Sequence, residues 1–151
     1  MSEIKTTFDE LQSLYYGNAF HGPALKEILE GINATQALAK PIPNAHNIWE
    51  LVLHILGWNK VFLLGLEGKI LDVPEDGDFP IINDTSQQAW QKTLVQLKEN
   101  IDEMLEKISK LSEAHLGVNI PGKDYNLRFV IGGIFNHIVY HSGQIALLKK
   151  A

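Results

Sequence analysis

Apolar residues recur every three or four positions along most of this sequence, and that spacing constrains the fold more than any other feature. In the clearest case the steps are 4, 3, 4, 3 and 4 residues, along Trp90, Leu94, Leu97, Ile101, Met104 and Ile108. This period gives an α-helix one apolar side, whereas a half-buried strand alternates at every second residue. The hairpin-forming pair Asp-Gly occurs at Asp76-Gly77, among proline and aspartate rather than between alternating apolar runs. The sequence therefore predicts an all-α protein with less than about a tenth of its residues in strands.

Four long helices are predicted, separated by shorter or irregular segments. The first begins near Ile4, keeps its register as far as Ile32 and is kinked or broken near Pro23. The other three cover about residues 47–68, 84–108 and 127–150. A short helix capped by Asn33 is predicted after the first long helix, and a surface loop is predicted at residues 69–84.

The length of the chain corresponds to one domain. Its 151 residues match the roughly 150 residues of a typical domain, which can bury a core without disulfides. Amphipathic helices without strands bury their apolar sides against one another. We therefore predict a single domain over residues 1–151, an all-α four-helix bundle with short extra helical turns in its loops.

Composition excludes several classes of function. The sequence has no cysteine, which rules out disulfides, thiolate zinc sites, iron–sulfur clusters and a cysteine nucleophile. Its net charge of −5 argues against nucleic acid or an anionic membrane as the main partner. We find no apolar run near the roughly 20 residues of a membrane span, and the first residues lack the pattern of a signal peptide. The expectation is a soluble, cytoplasmic protein.

Two histidines four residues apart, His137 and His141, are the main candidates for a functional site. On a helix they project from one face, one turn apart, close enough for both to bind one metal ion. That face is also the apolar side of the last predicted helix, so both rings are expected to point into the bundle. Six histidines give roughly 0.2 such spacings by chance. The alternative interpretation is two core histidines that bond to the backbone or to each other.

A third histidine strengthens the metal interpretation. His54 lies in the middle of the most apolar predicted helix, and sites in helical bundles are built from side chains on facing helices. Three protein ligands with open positions are typical of a catalytic metal rather than a structural one. Glu50 is a candidate proton acceptor or orienting partner, His46 a candidate proton carrier or helix cap, and Gln144 a candidate partner of a ligand or substrate. Solvation is the alternative for Glu50.

Two segments of the sequence resemble a known family. Residues 48–58, Ile-Trp-Glu-Leu-Val-Leu-His-Ile-Leu-Gly-Trp, and residues 137–145, His-Ile-Val-Tyr-His-Ser-Gly-Gln-Ile, are similar to the DinB-like (YfiT-like) superfamily. Residues 22–23 and 41–46 also resemble one branch of it. The resemblance implies an up-down-down-up four-helix bundle that binds a divalent metal and is often a homodimer in the bacterial cytosol.

The resemblance also implies the metal ligands and the class of reaction. Carried over residue by residue, the ligands fall on His54, His137 and His141. Characterised members include thiol-dependent S-transferases that use bacillithiol, mycothiol or glutathione, and a thiol-dependent isomerase. The expected function is therefore a metal-dependent S-transferase that joins a low-molecular-weight thiol to a small electrophile. A hydrolase that activates water, a non-catalytic metal-binding stress-response protein and a helical interaction protein are the alternatives, and three imidazoles do not distinguish zinc, nickel and iron.

Overall fold

The regular secondary structure of the protein is entirely helical over the residues that the structure describes, 2–151. The computed structural model contains α1 (Glu3–Tyr16), α2 (Leu25–Leu29), α3 (Ala34–Leu38), α4 (Ile48–Leu66), α5 (Gln87–Ser109), α6 (Glu113–Leu116) and α7 (Leu127–Lys150). Helices account for 63% of these residues. Within residues 2–151 the β-type pairing is limited to an isolated bridge between Asn119 and Asn126. The prediction of an all-α protein with few residues in strands is confirmed.

Local side chains set where the helices begin. The side chains of Asn33, Asn47 and Ser86 accept hydrogen bonds from backbone N–H groups in the first turns of α3, α4 and α5. Asparagine and serine are favoured at this position because they satisfy donors that the helix itself leaves unpaired. The predicted Asn33 cap is confirmed, and the helix predicted from about residue 47 begins at Ile48.

The predicted break in the first element is a separation into two helices. α1 ends at Tyr16 and α2 begins at Leu25. Between them Gly17 and Gly22 have φ angles of 146° and 132°, which residues with a side chain rarely adopt. The chain therefore leaves the helix several residues before Pro23, while the apolar residues on both sides of the break still pack into one core.

α4 occupies a central place in the packing of the helices. It packs against α7, α5 and α3, and α1 packs against α5, α2 and α7. Side chains that are almost completely buried come from all four longer helices: Leu11, Ile55, Leu97, Ile101, Ile134 and Ile138. Trp90 of α5 joins this core, with its ring centroid 5.2 Å from that of Trp49 on α4. The core holds α4 and α7 side by side, and the candidate site lies between these two helices.

By length and composition alone, α4 could cross a membrane, contrary to the expectation that no run is long enough. Helix Ile48–Leu66 has 19 residues and a mean hydropathy of 1.2 in its most apolar window. Of that window, 61% is buried inside the protein. A helix packed on three sides by other helices has this composition because its apolar residues form the core.

The segment 69–84 is a loop, as predicted, but it is more than a surface connection. We refer to residues 69–84 as the covering loop. Pro74 is buried, and a Cβ placed on Gly57 of α4 would lie 3.3 Å from the Pro74 Cβ. The absence of a side chain at Gly57 therefore lets the loop lie directly on α4, one turn from His54. The prediction of a surface loop is confirmed, since most of its residues are exposed, and Pro74 adds a contact with α4 that the sequence did not indicate.

Candidate metal centre

Three histidines meet between α4 and α7. His54 comes from α4, and His137 and His141 come from successive turns of α7. One ring nitrogen from each lies within 4.8 Å of the others. His54 and His141 are each only 7% exposed, so the cluster faces the interior. The structure thus brings together the three histidines that the sequence singles out, and this set is compatible with metal binding.

Two of the three rings have a defined tautomer. The Nδ1–H of His54 donates to the backbone carbonyl of Asp78 at 2.8 Å, and the Nδ1–H of His141 donates to Oε1 of Gln144 at 2.6 Å. Oxygens of this kind only accept hydrogen bonds, so the proton of each neutral ring is on Nδ1. The Nε2 atoms of His54 and His141 therefore carry lone pairs that are free to bind a metal.

His137 completes the set of nitrogen donors. Its Nε2 lies 3.0 Å from Nε2 of His54. Ligand nitrogens around a tetrahedral zinc ion are about 3.3 Å apart, because each Zn–N distance is about 2.0–2.1 Å. Within residues 2–151, Nδ1 of His137 is buried and makes no hydrogen bond. The donors and their spacing fit a divalent ion, and among the three histidines His137 is the one whose outer nitrogen is not held by a hydrogen bond.

The environment keeps the imidazoles of His137 and His141 neutral. Burial, reinforced by the rings of His141 and His54, lowers the pKa of His137 to about 4. Burial is also the main cause that lowers the pKa of His141, against the opposing effect of its bond to Gln144. Neutral imidazole is the form that binds metal ions. At neutral pH these two rings are therefore in the form that binds metal ions.

Aromatic rings surround the cluster. Phe79 of the covering loop stacks on His54, with centroids 4.4 Å apart and planes 8° apart. The rings of Trp58 and Phe62 lie 6.4 Å and 6.0 Å from that of His137. These rings exclude water from the sides of the imidazoles, which strengthens electrostatic interactions at the cluster.

Of the three further candidate residues, Gln144 contacts the histidine cluster, whereas Glu50 and His46 contact each other near the start of α4. Gln144 accepts the hydrogen bond from His141, a contact that the sequence analysis considered. Glu50 instead closes the start of α4: its Oε2 accepts from the Asn47 N–H at 2.9 Å and lies 3.1 Å from Nδ1 of His46. Partial burial raises the pKa of Glu50, but Asn47, His46 and Lys40 outweigh it and hold that pKa below its ordinary value. No hydrogen bond joins the side chains of Glu50 and His54, and the catalytic roles of Glu50 and His46 stay predictions.

Sequence reasoning missed the groups that hold His54 from outside α4. Asp78 lies 24 residues after His54, in a loop without any periodic pattern. Phe79 follows it and stacks on His46 as well as on His54, at 3.6 Å between the centroids of Phe79 and His46. Nothing in the local sequence links this loop to His54. The nearest signal is Gly57, which is costly within an apolar helix and here allows the loop to approach.

An all-helical fold with three histidines gathered between two helices defines a class of helical proteins able to bind a metal. The sequence model of the DinB superfamily matches residues 20–145, which include all three histidines. The chain therefore belongs to the DinB superfamily, a family associated with metal ions. The comparisons with curated proteins and with solved structures gave no significant match.

The lowered pKa of His137 makes the stability of the metal-free protein depend on pH. The unfolded ring has a pKa near 6.5 and the folded ring one of about 4. The folded state therefore binds fewer protons between these values, and stability that is present above about pH 6.5 is lost as the pH falls toward 4. Because the ring keeps some contact with solvent, we expect a loss of about 1 to 2 kcal/mol between pH 7 and 5.

Urea unfolding of the metal-free protein at the two pH values measures this loss. His137→Gln should show a smaller decrease than the unaltered protein. The exposed His21 lies between α1 and α2, and His21→Gln serves as the control that keeps the full decrease. An equal decrease in the unaltered protein and in His137→Gln would assign the pH dependence to other groups.

Proposed function

We propose that the chain is a metal-dependent enzyme whose preferred reaction is the transfer of a low-molecular-weight thiol to a small electrophile. The observation that carries this proposal is the cluster of His54, His137 and His141. Over the part of the chain that the structure describes, the cluster has three members of the His, Cys, Asp and Glu types. Structural zinc sites normally use four protein ligands, whereas catalytic sites use three and leave a position for the substrate.

Each residue at the site would have a definite role. His54, His137 and His141 would hold a divalent ion, which when bound lowers the pKa of a thiol or a water in its open position. Gln144 keeps the His141 ring in the tautomer that leaves Nε2 unprotonated. Trp58 flanks the cluster and limits the access of water. The charge on the ion is not cancelled, because all three ligands are neutral.

The surroundings of Glu50 favour a thiol over water as the nucleophile. Hydrolysis requires a group that takes a proton from water and later returns one to the leaving group. Two carboxylates near the cluster could take this role, but both already have other partners. Glu50 contacts Asn47 and His46, and the Asp78 carboxylate contacts His54 and Trp58. A thiol needs less assistance, because its ordinary pKa of about 8.5 is far below that of water.

A thiol titration of the cobalt-substituted protein tests the proposal. Bacillithiol, glutathione and cysteine are added in turn, and the near-ultraviolet absorption is followed. We expect a sulfur-to-cobalt charge-transfer band with at least one of them, because a thiol ionises when it binds the metal. S-methylglutathione, which has no thiol, is the control and should give no such band.

The outcomes of the titration separate the candidate functions. If cobalt binds but none of the three thiols changes the spectrum, the transferase proposal is wrong. Product release from a panel of esters and amides would then favour the hydrolase. A fourth protein ligand on the ion in a crystal structure would instead favour a structural, non-catalytic metal site.

The proposal includes the fold expected of the family, an up-down-down-up four-helix bundle. Near their starts, α4 and α5 are joined by a hydrogen bond between Trp49 and Thr93. Near their ends, they are joined by an ion pair between Lys107 of α5 and Glu67, the residue after α4. Gly65 near the end of α4 approaches Val130 near the start of α7. These contacts support α4 and α5 as parallel neighbours and α4 and α7 as antiparallel ones.

The remaining features of the proposal depend on the family and on composition. A homodimer and a location in the bacterial cytoplasm rest on the resemblance to the family. A small-molecule substrate, rather than nucleic acid or a membrane, is supported by the net charge of −5.

A further inference from the structure

We propose that Asp78 is a positioning residue for His54, and that it couples the covering loop to metal binding. The inference rests on the proposed metal-dependent function. It concerns a residue outside the histidine cluster, on a segment that contributes no ligand. Residues 78 and 79 make four contacts with α4: two at the edge of the His54 ring, one with Trp58 and one on the face of the His54 ring.

The first two contacts are made by oxygens of Asp78 at the edge of the His54 ring. Nδ1 of His54 lies 2.8 Å from the Asp78 backbone carbonyl and 3.1 Å from Oδ1 of the same residue. The N–H donates its hydrogen bond to the carbonyl, and the negatively charged carboxylate lies beside the same nitrogen. A carboxylate at this position fixes the ring orientation of a metal-binding histidine and makes its other nitrogen a stronger donor.

The carboxylate is itself held in place by α4. The indole N–H of Trp58 donates to Oδ1 of Asp78 at 2.7 Å. His54 and Trp58 are one helical turn apart and face the same way, so a single aspartate satisfies both. Asp78 cannot move away from His54 without also leaving the indole N–H of Trp58.

The fourth contact covers the face of the His54 ring. Phe79 lies almost parallel to His54, at 4.4 Å and 8°, and almost parallel to His46, at 3.6 Å and 6°. The phenyl ring therefore lies between two imidazoles, that of His46 just before α4 and that of His54 within it. Together, Asp78 and Phe79 restrict the edge and one face of the His54 ring.

His141 differs from His54 in where its hydrogen-bonding partner comes from. Its partner Gln144 is three residues away on the same helix, so that contact persists whenever α7 is folded. The partner of His54 comes from a loop, and the Asp78 side chain is 60% exposed. Loop segments with exposed hydrogen bonds open at low free-energy cost. Orientation of His54 therefore depends on whether the loop is docked, and by linkage metal binding must in turn stabilise the docked loop.

Asp78→Asn tests the inference, with Asp76→Asn as the matched control. Both variants remove one negative charge from an exposed aspartate of the same loop, but Asp78 alone contacts His54. We expect the affinity for zinc to fall about 10- to 100-fold in Asp78→Asn, as for outer partners of metal-binding histidines, and to be unchanged in Asp76→Asn. Competition with a chromophoric chelator measures both affinities. Equal affinities in the two variants would overturn the inference.

A second readout does not need the metal. In the metal-free protein, nitrogen NMR of the imidazoles should show the proton of His54 on Nδ1, and Asp78→Asn should weaken this preference relative to Asp76→Asn. A His54 ring that is protonated on Nε2 in the unaltered protein would contradict the inference. An unaltered protein that binds no metal but shows the expected tautomer would refute the proposed function and leave the role of Asp78 supported, so the two failures are distinguishable.

Limited proteolysis measures the coupling from the side of the loop. Glu75 is exposed and lies within the covering loop, where a glutamate-specific protease can cleave only when the loop is undocked. We expect zinc to slow cleavage after Glu75 in the unaltered protein and in Asp76→Asn, and to have little effect in Asp78→Asn. Cleavage at one rate with and without zinc in the unaltered protein would show that the loop and the metal are not coupled.

Discussion

Replacing His137 by alanine is expected to abolish stoichiometric metal binding while leaving the helical content almost unchanged. The variant removes one of three nitrogen donors, and the loss of a ligand should exceed the roughly 10- to 100-fold effect of losing an outer partner. Helicity should persist, because the apolar core extends along all four longer helices and Nδ1 of His137 has no hydrogen bond to lose within residues 2–151.

Elemental analysis of protein purified without an affinity tag measures the first expectation, and circular dichroism at 222 nm measures the second. His21→Ala is the control, because His21 is exposed and lies in the segment between α1 and α2. It should retain the full metal content. Full retention in both His54→Ala and His137→Ala would rule out the three-histidine site.

The sequence contains enough information to predict the helices and the cluster of histidines. The stripe of α5 has a regular period, and Asn33 caps its helix through a side chain three residues from the donor. His137 and His141 could be paired because helical geometry alone places them on one face. His54 could be added because it interrupts an apolar helix that had to face another one. These are local or periodic signals, which a sequence records directly.

The groups around the ligands depend on contacts that no local signal records. Asp78 and Phe79 reach His54 through the path of a loop, and that path is set by tertiary packing at Gly57 and Pro74. The role of Glu50 was open for a similar reason. One turn from His54 along α4, it was compatible with a role at the site and with solvation, and the contact that it makes with the Asn47 N–H depends on its side-chain rotamer.

The apolar composition of α4 illustrates the same limit of prediction from sequence. The helix is apolar around much of its circumference, and composition cannot tell a core helix from a membrane span. The packing of α7 and α5 against it makes the difference. Burial is a property of the assembled helices, so it becomes visible only in three dimensions.

The largest loss of stability from a single substitution is expected for Trp90→Ala. The Trp90 side chain is fully buried, and its indole N–H donates to the Ile32 backbone carbonyl at 2.7 Å. Truncating a buried tryptophan leaves a cavity and costs about 3 to 5 kcal/mol, a large part of the roughly 5 to 15 kcal/mol that stabilises a typical domain. Urea unfolding of the metal-free protein, followed by circular dichroism, measures the change in the free energy of unfolding.

Trp90→Phe separates the two parts of this effect. Phenylalanine keeps much of the ring volume against Trp49 but leaves the Ile32 carbonyl without its donor, which costs about 1 to 3 kcal/mol. Phe20→Ala is the control, because the Phe20 ring is fully exposed and its removal should change the free energy by less than about 0.5 kcal/mol. If Trp90→Ala and Trp90→Phe lose the same free energy, the hydrogen bond to Ile32 is the main contribution of Trp90. If Trp90→Phe loses almost none, packing in the core is the main contribution of Trp90.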